Sequence, residues 1–306
     1  MTPDMVSNRY ARQMILPQVG AAGQARLGAA HVVVVGAGGL GSTVIPALAG
    51  AGVGRLTILD ADYVEASNLH RQPLYTMADV GQAKARIAAA RARAINPECV
   101  VTALVQRAGP DETALIARAD VVIDAGDNFA TSYTLSDMCF AAGKPLISAS
   151  VLGMAGFVGG FCGGAPSYRA VFAKPDSAAG TCATAGVLGP AVAVLGALQA
   201  QMALAVLLKI TPSPLGRMVT LDLLRWHFGG FKFRSAEESA GFSFVARPLL
   251  TDLLIDLRAT QPDLAAIALP QGRIVLACKT GLRAWRAAEI LAARGAKAIV
   301  LMADGQ

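Results

Sequence analysis

The amino-acid sequence predicts a doubly wound α/β fold, with a mainly parallel sheet, added antiparallel strands and a small C-terminal α/β segment. Three observations predict it. Short apolar runs alternate with helical stretches as far as about residue 151, which is typical of a parallel sheet. Glycine-rich extended segments follow, and these are typical of antiparallel strands. After a polar stretch near residue 240, strand and helix alternate once more.

The parallel part of the sheet is predicted from five short apolar runs. The first run, a glycine turn, a helical stretch and the second run together make a βαβ unit. The predicted strands are His31–Val35, Arg55–Leu59, Cys99–Val105, Asp120–Asp124 and Pro145–Val151. Helices are predicted after the first strand and near Gln82–Ala94, Glu112–Arg118 and Thr131–Ala142.

The second half is predicted from glycine-rich extended segments on both sides of one long apolar helix. Added strands are predicted at Phe157–Gly164, Tyr168–Phe172, Arg217–Leu221 and Trp226–Phe233, with the helix within Ala183–Leu208. The polar stretch Ser235–Gly241 is interpreted as a linker. Beyond it, strands are predicted at Leu253–Leu257, Arg273–Ala277 and Ala298–Leu301, with a helix at Arg283–Arg294. We therefore expect a large domain over residues 1–234, a linker over 235–244 and a small domain over 245–306.

Composition narrows the class of protein. Of the 306 residues 54% are apolar and 16% are charged, so a sizeable core can be buried. The net charge of +6 comes from scattered arginines, which favours an anion site over a nucleic-acid face. No apolar signal segment opens the sequence, and the uncharged stretch near residue 195 is interrupted by glycines, a proline and glutamines. We expect a reduced, cytoplasmic protein without a membrane span, in which this stretch is a buried or subunit-interface helix.

A glycine-rich loop follows the first predicted strand. Gly36, Gly38 and Gly41 have the GxGxxG spacing, with Gly39 between them, and such a turn lets backbone N–H groups hold phosphate oxygens. Asp60 ends the next strand, where a carboxylate can accept hydrogen bonds from ribose hydroxyls. These features predict a Rossmann-like nucleotide site, and by themselves they favour NAD.

Polar residues beyond the glycine loop favour another chemistry. Asn68, Arg71, Lys84 and Asp127 all follow strands at the edge where the nucleotide is expected. Hydride transfer needs a dry nicotinamide pocket with an acid or base, and no residue stands out for that role. Two cations and a carboxylate beside a phosphate cradle suit adenylyl transfer, because they offset triphosphate charge and hold Mg²⁺.

Several motifs together resemble the ThiF/MoeB/HesA family, the bacterial relatives of ubiquitin-activating enzymes. The resemblance covers about Arg9 to Phe233 and rests on Arg9–Gln13, the glycine loop, Asp60–Asp62, Ser67–Gln72, Lys84 and Asp124–Asn128. It implies ATP and Mg²⁺ as cofactors. It also implies adenylylation of the C-terminal Gly-Gly of a ubiquitin-like sulfur-carrier protein, with pyrophosphate as the product, for thiamine-thiazole or molybdopterin synthesis.

The resemblance also implies roles for individual residues. Asp60 is expected to bind ribose, Asp127 to bind Mg²⁺, and Arg12 to reach across a homodimer into the partner's site. Taken alone, Arg12 and Lys84 would be interpreted as solvated helix charges. The expected catalytic residues of adenylylation are Arg71, Lys84 and Asp127. The expected nucleotide-binding residues are Arg12, Gly36, Gly38, Gly39, Gly41, Asp60, Asp62, Asn68, Arg71, Gln72, Lys84, Asp127 and Asn128.

The five cysteines include no CxxC pair, whereas members of the family usually bind a structural zinc through two such pairs. Ser167 and Ala170 stand where the first pair would be, so no zinc site is expected. Cys182 resembles the crossover-loop cysteine of the family, which forms an acyl disulfide with the carrier in some members. The alternative is that Cys182 is a small buried apolar residue.

Cys278 follows a predicted strand and precedes a predicted helix. Such a loop aims backbone N–H groups at the sulfur and stabilises a thiolate or persulfide. Residues 278–284 resemble the active-site loop of rhodanese domains, and Ile255–Arg258 resembles their upstream strand. The resemblance covers about Val245 to Asp304, which is shorter than a full rhodanese domain. Cys278 is therefore expected either to receive sulfur from a persulfide donor and pass it to the acyl-adenylate, or to be an inert thiol in a relic domain.

Three other functions stay open at this point. A NAD-dependent oxidoreductase would bind NADH, and a non-catalytic scaffold for a ubiquitin-like protein would lack one of the ATP-site residues. An ATP-dependent tRNA-modifying dehydratase would share the nucleotide motifs, but the C-terminal rhodanese-like segment argues against it.

Overall fold

The computed structural model describes residues 9–175, 186–258 and 262–303. In these ranges the chain forms one eight-stranded sheet with helices and one three-stranded sheet with a helix. The strands are β1 His31–Val35, β2 Arg55–Leu59, β3 Val100–Leu104, β4 Val121–Asp124, β5 Pro145–Leu152, β6 Ala155–Cys162, β7 Arg217–Asp222, β8 His227–Lys232, β9 Leu253–Asp256, β10 Ile274–Cys278 and β11 Ile299–Ala303. The helices are α1 Ala11–Met14, α2 Gly20–Ala29, α3 Gly41–Gly50, α4 Lys84–Ile95, α5 Thr113–Arg118, α6 Phe129–Ala141, α7 Tyr168–Val171, α8 Gly189–Leu207 and α9 Leu282–Ala293.

The large sheet has the strand order β3-β2-β1-β4-β5-β6-β7-β8. The first five strands run parallel and the last three pair antiparallel, which confirms the predicted doubly wound sheet and its extension. The chain order reverses between β1 and β4. In open α/β sheets a ligand crevice forms at such a switch point, outside the carboxyl ends of the strands.

The sequence of β1 explains why it lies at the centre of the sheet. Its four valines are at most 5% exposed, because helices cover both faces of the strand. One face packs against α3, α4 and α8, and the other against α5 and α6. The apolar run therefore fixes β1 in the sheet and brings the glycine loop that follows it to the switch point.

The prediction of a strand at Tyr168–Phe172 is wrong, because the segment forms the short helix α7 followed by Phe172. Ser167 caps the helix, since its Oγ accepts a hydrogen bond from Arg169 N at 3.1 Å. Tyr168 and Phe172 are four residues apart, so their rings lie on one face of the turn with centroids 4.5 Å apart. The aromatic spacing was that of a helix.

The long apolar helix α8 spans Gly189–Leu207, within the predicted stretch, and has Pro190 in its first turn. Proline suits this position because its missing N–H would have no partner there. By length and composition alone α8 could cross a membrane. Half of its apolar stretch is nevertheless buried against the rest of the protein. Val192 and Leu195 belong to the main core.

The small sheet has the order β11-β10-β9 and is parallel throughout, with α9 packed on it. Its core continues into the large sheet's helix α6: Ala130 and Tyr133 pack with Trp285 and Leu276. Residues 235–243, all of them described, form no helix or strand, although the aromatic ring of Phe242 contacts that of Trp285. The expected linker is thus packed against both parts of the chain.

Polar contacts occupy the region where the family's zinc would be expected. Ser167 Oγ donates to Glu238 Oε2 at 2.5 Å, and Ser167 N donates to Oε1 at 2.8 Å. Arg169 forms a bidentate pair with Asp137 at 2.6 and 2.8 Å and also donates to the carbonyl of Phe242 at 3.0 Å. Among the described residues, no group of three or more His, Cys, Asp or Glu side chains could hold a metal ion. Hydrogen bonds from Ser167 and Arg169 therefore connect α7 to the segment before the small sheet, and the Arg169–Asp137 ion pair connects α7 to α6.

Candidate functional site

A cavity of about 850 Å³ opens at the switch point between β1 and β4. It brings together most of the residues that the sequence analysis selected. Those that line it are Gly36, Gly38, Gly39, Asp60, Asp62, Asn68, Arg71, Gln72, Lys84, Asp127 and Asn128. Gly41 lies one residue past Leu40, which also lines the cavity, and it opens helix α3.

The glycine loop depends on the absence of side chains at three positions. Gly36 has φ +97°, and a Cβ there would lie 2.6 Å from the carbonyl oxygen of Ala125. A Cβ on Gly39 would lie 2.6 Å from Val192 of α8, and one on Gly41 would collide with the carbonyl of Gly36. The close packing of β4, α3 and α8 around the loop thus requires glycine.

The loop offers hydrogen-bond donors to the cavity. The backbone N–H groups of Gly38, Gly39 and Leu40 have no hydrogen-bond partner within the described part of the chain. They precede the N-terminus of α3, where the helix dipole favours an anion. The loop therefore presents donors to a negatively charged group in the cavity.

Asp60 holds the glycine loop in place as well as facing the cavity. Its Oδ2 accepts a hydrogen bond from Ala37 N at 2.7 Å, and its Oδ1 accepts one from Asp62 N at 2.7 Å. Burial raises the pKa of Asp60 above its usual range, while these two N–H groups act in the opposite direction. Each oxygen keeps a second lone pair that can accept a hydroxyl.

Lys84 is a buried cation, with 7% of its side chain exposed, and its Nζ lies 3.2 Å from Asp62 Oδ2. It is the first residue of α4, where the positive end of the helix dipole disfavours a cation. Its position is therefore not explained by helix stability. An anion in the cavity would supply the missing favourable interaction.

Asn68 ends the 3₁₀ helix Ala66–Asn68, and Arg71 and Gln72 come from the turn that follows it. Arg71 Nη1 lies 2.8 Å from His70 Nε2 and 3.3 Å from the carbonyl of Ser67. The Oε1 of Gln72 is buried without a hydrogen-bond partner in the described structure, although the residue lines the cavity. An unpaired buried acceptor at a cavity wall indicates a position that a ligand donor can fill.

Asp127 and Asn128 connect β4 to α6. Asn128 caps α6 by accepting a hydrogen bond from Ala130 N at 2.9 Å. The carboxylate of Asp127 is exposed to the cavity and has no hydrogen bond or ion pair within the described residues. Beneath it, Asp124 is buried and accepts a hydrogen bond from Ser148 Oγ at 2.8 Å, and burial raises the pKa of Asp124.

The expected site residues also include Arg12 and Cys182. Arg12 is exposed on α1 and does not line the cavity of its own chain. Ile15 and Leu16 follow it and are 71% and 53% exposed. Cys182 lies outside the described residues, so its expected role stays a prediction.

Cys278 lies at the end of β10 and is 1% exposed. Its Sγ accepts hydrogen bonds from Gly281 N at 3.1 Å and Ala284 N at 3.4 Å. The loop thus has the expected N–H groups around the sulfur, but the sulfur is enclosed. Thr280 and Leu282 of the same loop line the large cavity.

Sequence reasoning missed the part of the cavity that α6 and α7 supply. Phe129, Ser132 and Tyr133 line it from the first turns of α6. Their i, i+3, i+4 spacing directly after Asp127 places them on one helix face, and that signal was present in the sequence. The contributions of Tyr168, Phe172 and Leu282 depend on tertiary packing and had no such signal.

The residues present fit a nucleoside triphosphate and a magnesium ion. The loop supplies free N–H donors, Lys84 and Arg71 supply positive charge, and Asp60 can accept hydroxyl groups. The carboxylate of Asp127 is exposed and has no partner among the described residues. It suits Mg²⁺, which binds through one or two carboxylates together with substrate phosphates and water.

Comparison with known proteins gives a consistent result. The model of the ThiF family matches residues 10–241. The sulfur carrier protein adenylyltransferase of Thermus thermophilus is 46% identical over 230 residues, which are 72% of this chain and 85% of that protein. The Bos taurus adenylyltransferase and sulfurtransferase MOCS3 is 45% identical over 252 residues, 80% of this chain and 54% of that protein. The chain spans about half the length of the MOCS3 relatives that it matches.

Solved structures show the same fold at lower sequence identity. The crystal structure of E. coli MccB with MccA-N7isoASN superimposes with a TM-score of 0.67 and 23% identity. The match covers 76% of this chain and 73% of that one. A structure of PaaA matches with a TM-score of 0.64, 22% identity and coverage of 76% and 75%.

Proposed function

Because the chain belongs to the ThiF family, we propose that it is an adenylyltransferase that activates the C-terminal carboxylate of a ubiquitin-like sulfur-carrier protein with ATP. The observation that carries the proposal is the cavity at the switch point, where free N–H donors, Lys84, Arg71 and an exposed carboxylate meet. The names of the T. thermophilus and bovine relatives support the substrate class. The thiazole of thiamine and molybdopterin are the two products such a carrier would serve.

The chemistry follows from the charges around the cavity. The carrier's terminal carboxylate attacks the α-phosphorus of ATP, the bond to the β-phosphate oxygen breaks, and pyrophosphate leaves. Negative charge builds on the phosphate oxygens as this happens. The glycine-loop N–H groups, Lys84 and Arg71 would stabilise that charge, because they are donors and cations beside the same cavity.

The cation on Lys84 is held ready by Asp62. Their 3.2 Å contact keeps the ammonium group directed along the cavity wall when no phosphate is present. Asp60 orients the glycine loop through Ala37 N and is placed to bind the ribose. Magnesium bound at Asp127 would supply further positive charge on the phosphates.

Exposed apolar surface supports docking of a protein partner. Strand β8 is the edge of the large sheet, and Trp226 and Phe228 at its start are 77% and 61% exposed. An edge strand with free backbone groups and exposed aromatic residues is suited to pairing with another chain. We assign this edge to the carrier, and the apolar surface around Arg12, Ile15 and Leu16 to a second copy of the chain.

Sulfur transfer by Cys278 is a second candidate activity. The loop favours it because Gly281 N and Ala284 N point at the sulfur, as a thiolate or persulfide requires. The terminal sulfur of a persulfide would attack the acyl-adenylate carbonyl and release AMP. The resulting acyl disulfide would need a second thiol to cleave it and free the thiocarboxylate. Since Cys278 is 1% exposed, the loop would have to open first.

The experiment that tests the proposed function is carrier-dependent ATP–pyrophosphate exchange. Candidate sulfur carriers ending in Gly-Gly are each added to the full chain with Mg²⁺, and NADH binding is measured in parallel. We expect exchange with at least one carrier and none with a carrier whose last glycine is deleted. The proposal is wrong if no carrier supports exchange while NADH binds tightly.

A further inference from the structure

The small C-terminal sheet contributes directly to the cavity of the large domain. Thr280 and Leu282, from the loop between β10 and α9, line the same space as the glycine loop and Asp127. The remaining described residues of the lining come from the region before residue 193. The site is therefore assembled from two parts of the chain that are distant in sequence.

The loop is fixed against α6 rather than loosely placed. Ala130 N donates a hydrogen bond to the carbonyl of Thr280 at 3.3 Å. Gly281 has φ +86°, and a Cβ there would lie 2.9 Å from Cβ of Ala130 and 3.0 Å from the ring of Phe244. This close approach places Thr280 beside the N-terminus of α6, where Ala130 lies two residues beyond Asn128.

Aromatic packing holds the two parts in one arrangement. Trp285 of α9 lies edge-on to Phe129, with ring centroids 5.7 Å apart, and 5.5 Å from Tyr133. Both partners of Trp285 are themselves cavity-lining residues. Lys174, also in the lining, forms an ion pair with Glu289 of α9 at 2.8 Å. Helix α9 thus supports one wall of the cavity through three of its lining residues.

The wall that the small sheet supports differs in chemistry from the nucleotide end. Around the glycine loop the cavity is polar, whereas α6, α7 and the loop after β10 present mainly aromatic and aliphatic groups. Those groups are Phe129, Tyr133, Tyr168, Phe172 and Leu282. An acyl substrate that attacks the α-phosphate must extend through the part of the cavity that the nucleotide does not fill. A peptide tail fits this wall, because apolar side chains exclude water while Thr280 offers a hydroxyl to its backbone.

We propose that Thr280 and Leu282 recognise the C-terminal tail of the carrier, so that the small sheet serves as a specificity wall of the adenylylation site. The inference rests on the proposed function and deepens it, since it names a part of the chain that selects the acyl substrate. It is independent of any sulfur chemistry at Cys278, whose side chain points into the core behind the wall.

The test uses Thr280→Val and Leu282→Ala in the full chain, with the carrier that supports exchange in the wild type. Thr280 is exposed, so its substitution leaves the fold intact, and urea unfolding checks both variants. Thr251→Val and Ile290→Ala are matched controls on exposed positions of the same segment outside the cavity. We expect the KM for the carrier to rise about tenfold in both variants, as lost contacts in a desolvated pocket typically cause. The KM for ATP should stay within about twofold, and the controls should behave as the wild type.

Two outcomes would overturn the inference. Unchanged carrier KM in both variants would show that the wall does not contact the tail. A parallel rise in the KM for ATP would show that it faces the nucleotide instead. Exchange by the wild type in either case leaves the proposed function standing, whereas absence of exchange in the wild type removes both.

Discussion

Two loops of this protein share one local design and have opposite surroundings. The glycine loop after β1 and the cysteine loop after β10 each leave the end of a buried parallel strand and lead into a helix. Each contains a glycine with positive φ, +97° at Gly36 and +86° at Gly281. Each directs backbone N–H groups inward, but the first directs them to a cavity and the second to its own sulfur.

The difference between the loops shows that a strand–loop–helix turn determines which backbone N–H groups are available as donors. It does not by itself determine the function of the loop. N–H groups at a helix N-terminus favour any acceptor with negative charge. In the glycine loop the space for that acceptor is left to a ligand, because no side chain stands there. In the cysteine loop Cys278 Sγ fills it, and the aromatic cluster around Trp285 covers the sulfur.

The largest effect is expected when charged residues that line the cavity together with the glycine loop are replaced. Lys84→Ala and Asp127→Ala should each lower carrier-dependent ATP–pyrophosphate exchange by roughly a hundredfold or more, because each removes a charge that acts on the phosphates. Lys279→Ala is the matched control, since Lys279 is an exposed lysine in the cysteine loop and does not line the cavity. An active Asp127→Ala enzyme would remove the magnesium assignment.

The next effect concerns the packing that brings the two loops together. Arg169→Met should lower the free energy of unfolding by about 2 kcal/mol, because it removes the bidentate pair with Asp137 and the hydrogen bond to the carbonyl of Phe242. Arg247→Met is the control: that arginine pairs with Asp111 on the surface and should have no measurable effect. Urea unfolding monitored by tryptophan fluorescence gives both values. Equal midpoints for the two variants would mean that Arg169 does not replace the zinc site as a structural connection.

A smaller effect is expected in the rate of thiol labelling, which distinguishes an enclosed sulfur from a reactive one. In a Cys182→Ser background the remaining cysteines are Cys99, Cys139, Cys162 and Cys278, all buried. Burial raises the pKa of Cys99 to about 11 and that of Cys162 to about 12, so these two thiols scarcely ionise at pH 8 and should not react with the reagent. We expect a disulfide reagent to label Cys278 no faster than the loop opens, and Cys278→Ser to leave adenylylation unchanged.

The outcome of that labelling sharpens the comparison directly. Rapid reaction at Cys278 in the folded protein would mean that the sulfur becomes accessible, as a persulfide carrier requires. Thiosulfate-dependent sulfuration of cyanide that Cys278→Ser abolishes would lead to the same conclusion. Slow labelling together with no such activity would make the sulfur a structural hydrogen-bond acceptor.

The smallest effect is a difference in pH dependence between two carboxylates at strand ends. Burial raises the pKa of Asp124, so its ionised form is disfavoured in the folded state, and Asp124→Asn should gain stability relative to the wild type at neutral pH. That gain in stability should shrink as pH falls through the folded-state pKa of Asp124.

At the end of β9, hydrogen bonds from Arg258 lower the pKa of Asp256 to about 2. Its stabilisation is present above the unfolded-state pKa near 4 and is lost towards pH 2, so Asp256→Asn should be less stable than the wild type at neutral pH. Unfolding curves at pH 4 and pH 7 give the stability of both variants relative to the wild type. The reasoning would be contradicted if both variants were more stable than the wild type, or if both were less stable.

Much of the fold could be predicted because each element has a local cause. The apolar run of β1 predicted a strand, and the glycines after it predicted a phosphate-binding turn. The prediction failed at Tyr168–Phe172, where glycines and aromatic residues nearby suggested a strand. The serine cap and the i, i+4 aromatic pair form a helix there, and their effect depends on Tyr133 and Phe161 packing against that face.

The sequence by itself determined the sheet, its glycine loop and the residues that converge on it, because strand order and loop length bring the carboxyl ends of parallel strands to one edge. Only the tertiary structure decided that the small sheet joins the same cavity, since this depends on the fit of Gly281 and Trp285 against α6. It also decided that the sulfur of Cys278 is enclosed, because burial is a property of neighbours that are distant in sequence. The local sequence pattern determines that the turn forms, and the packing of distant residues around it determines what the turn can bind.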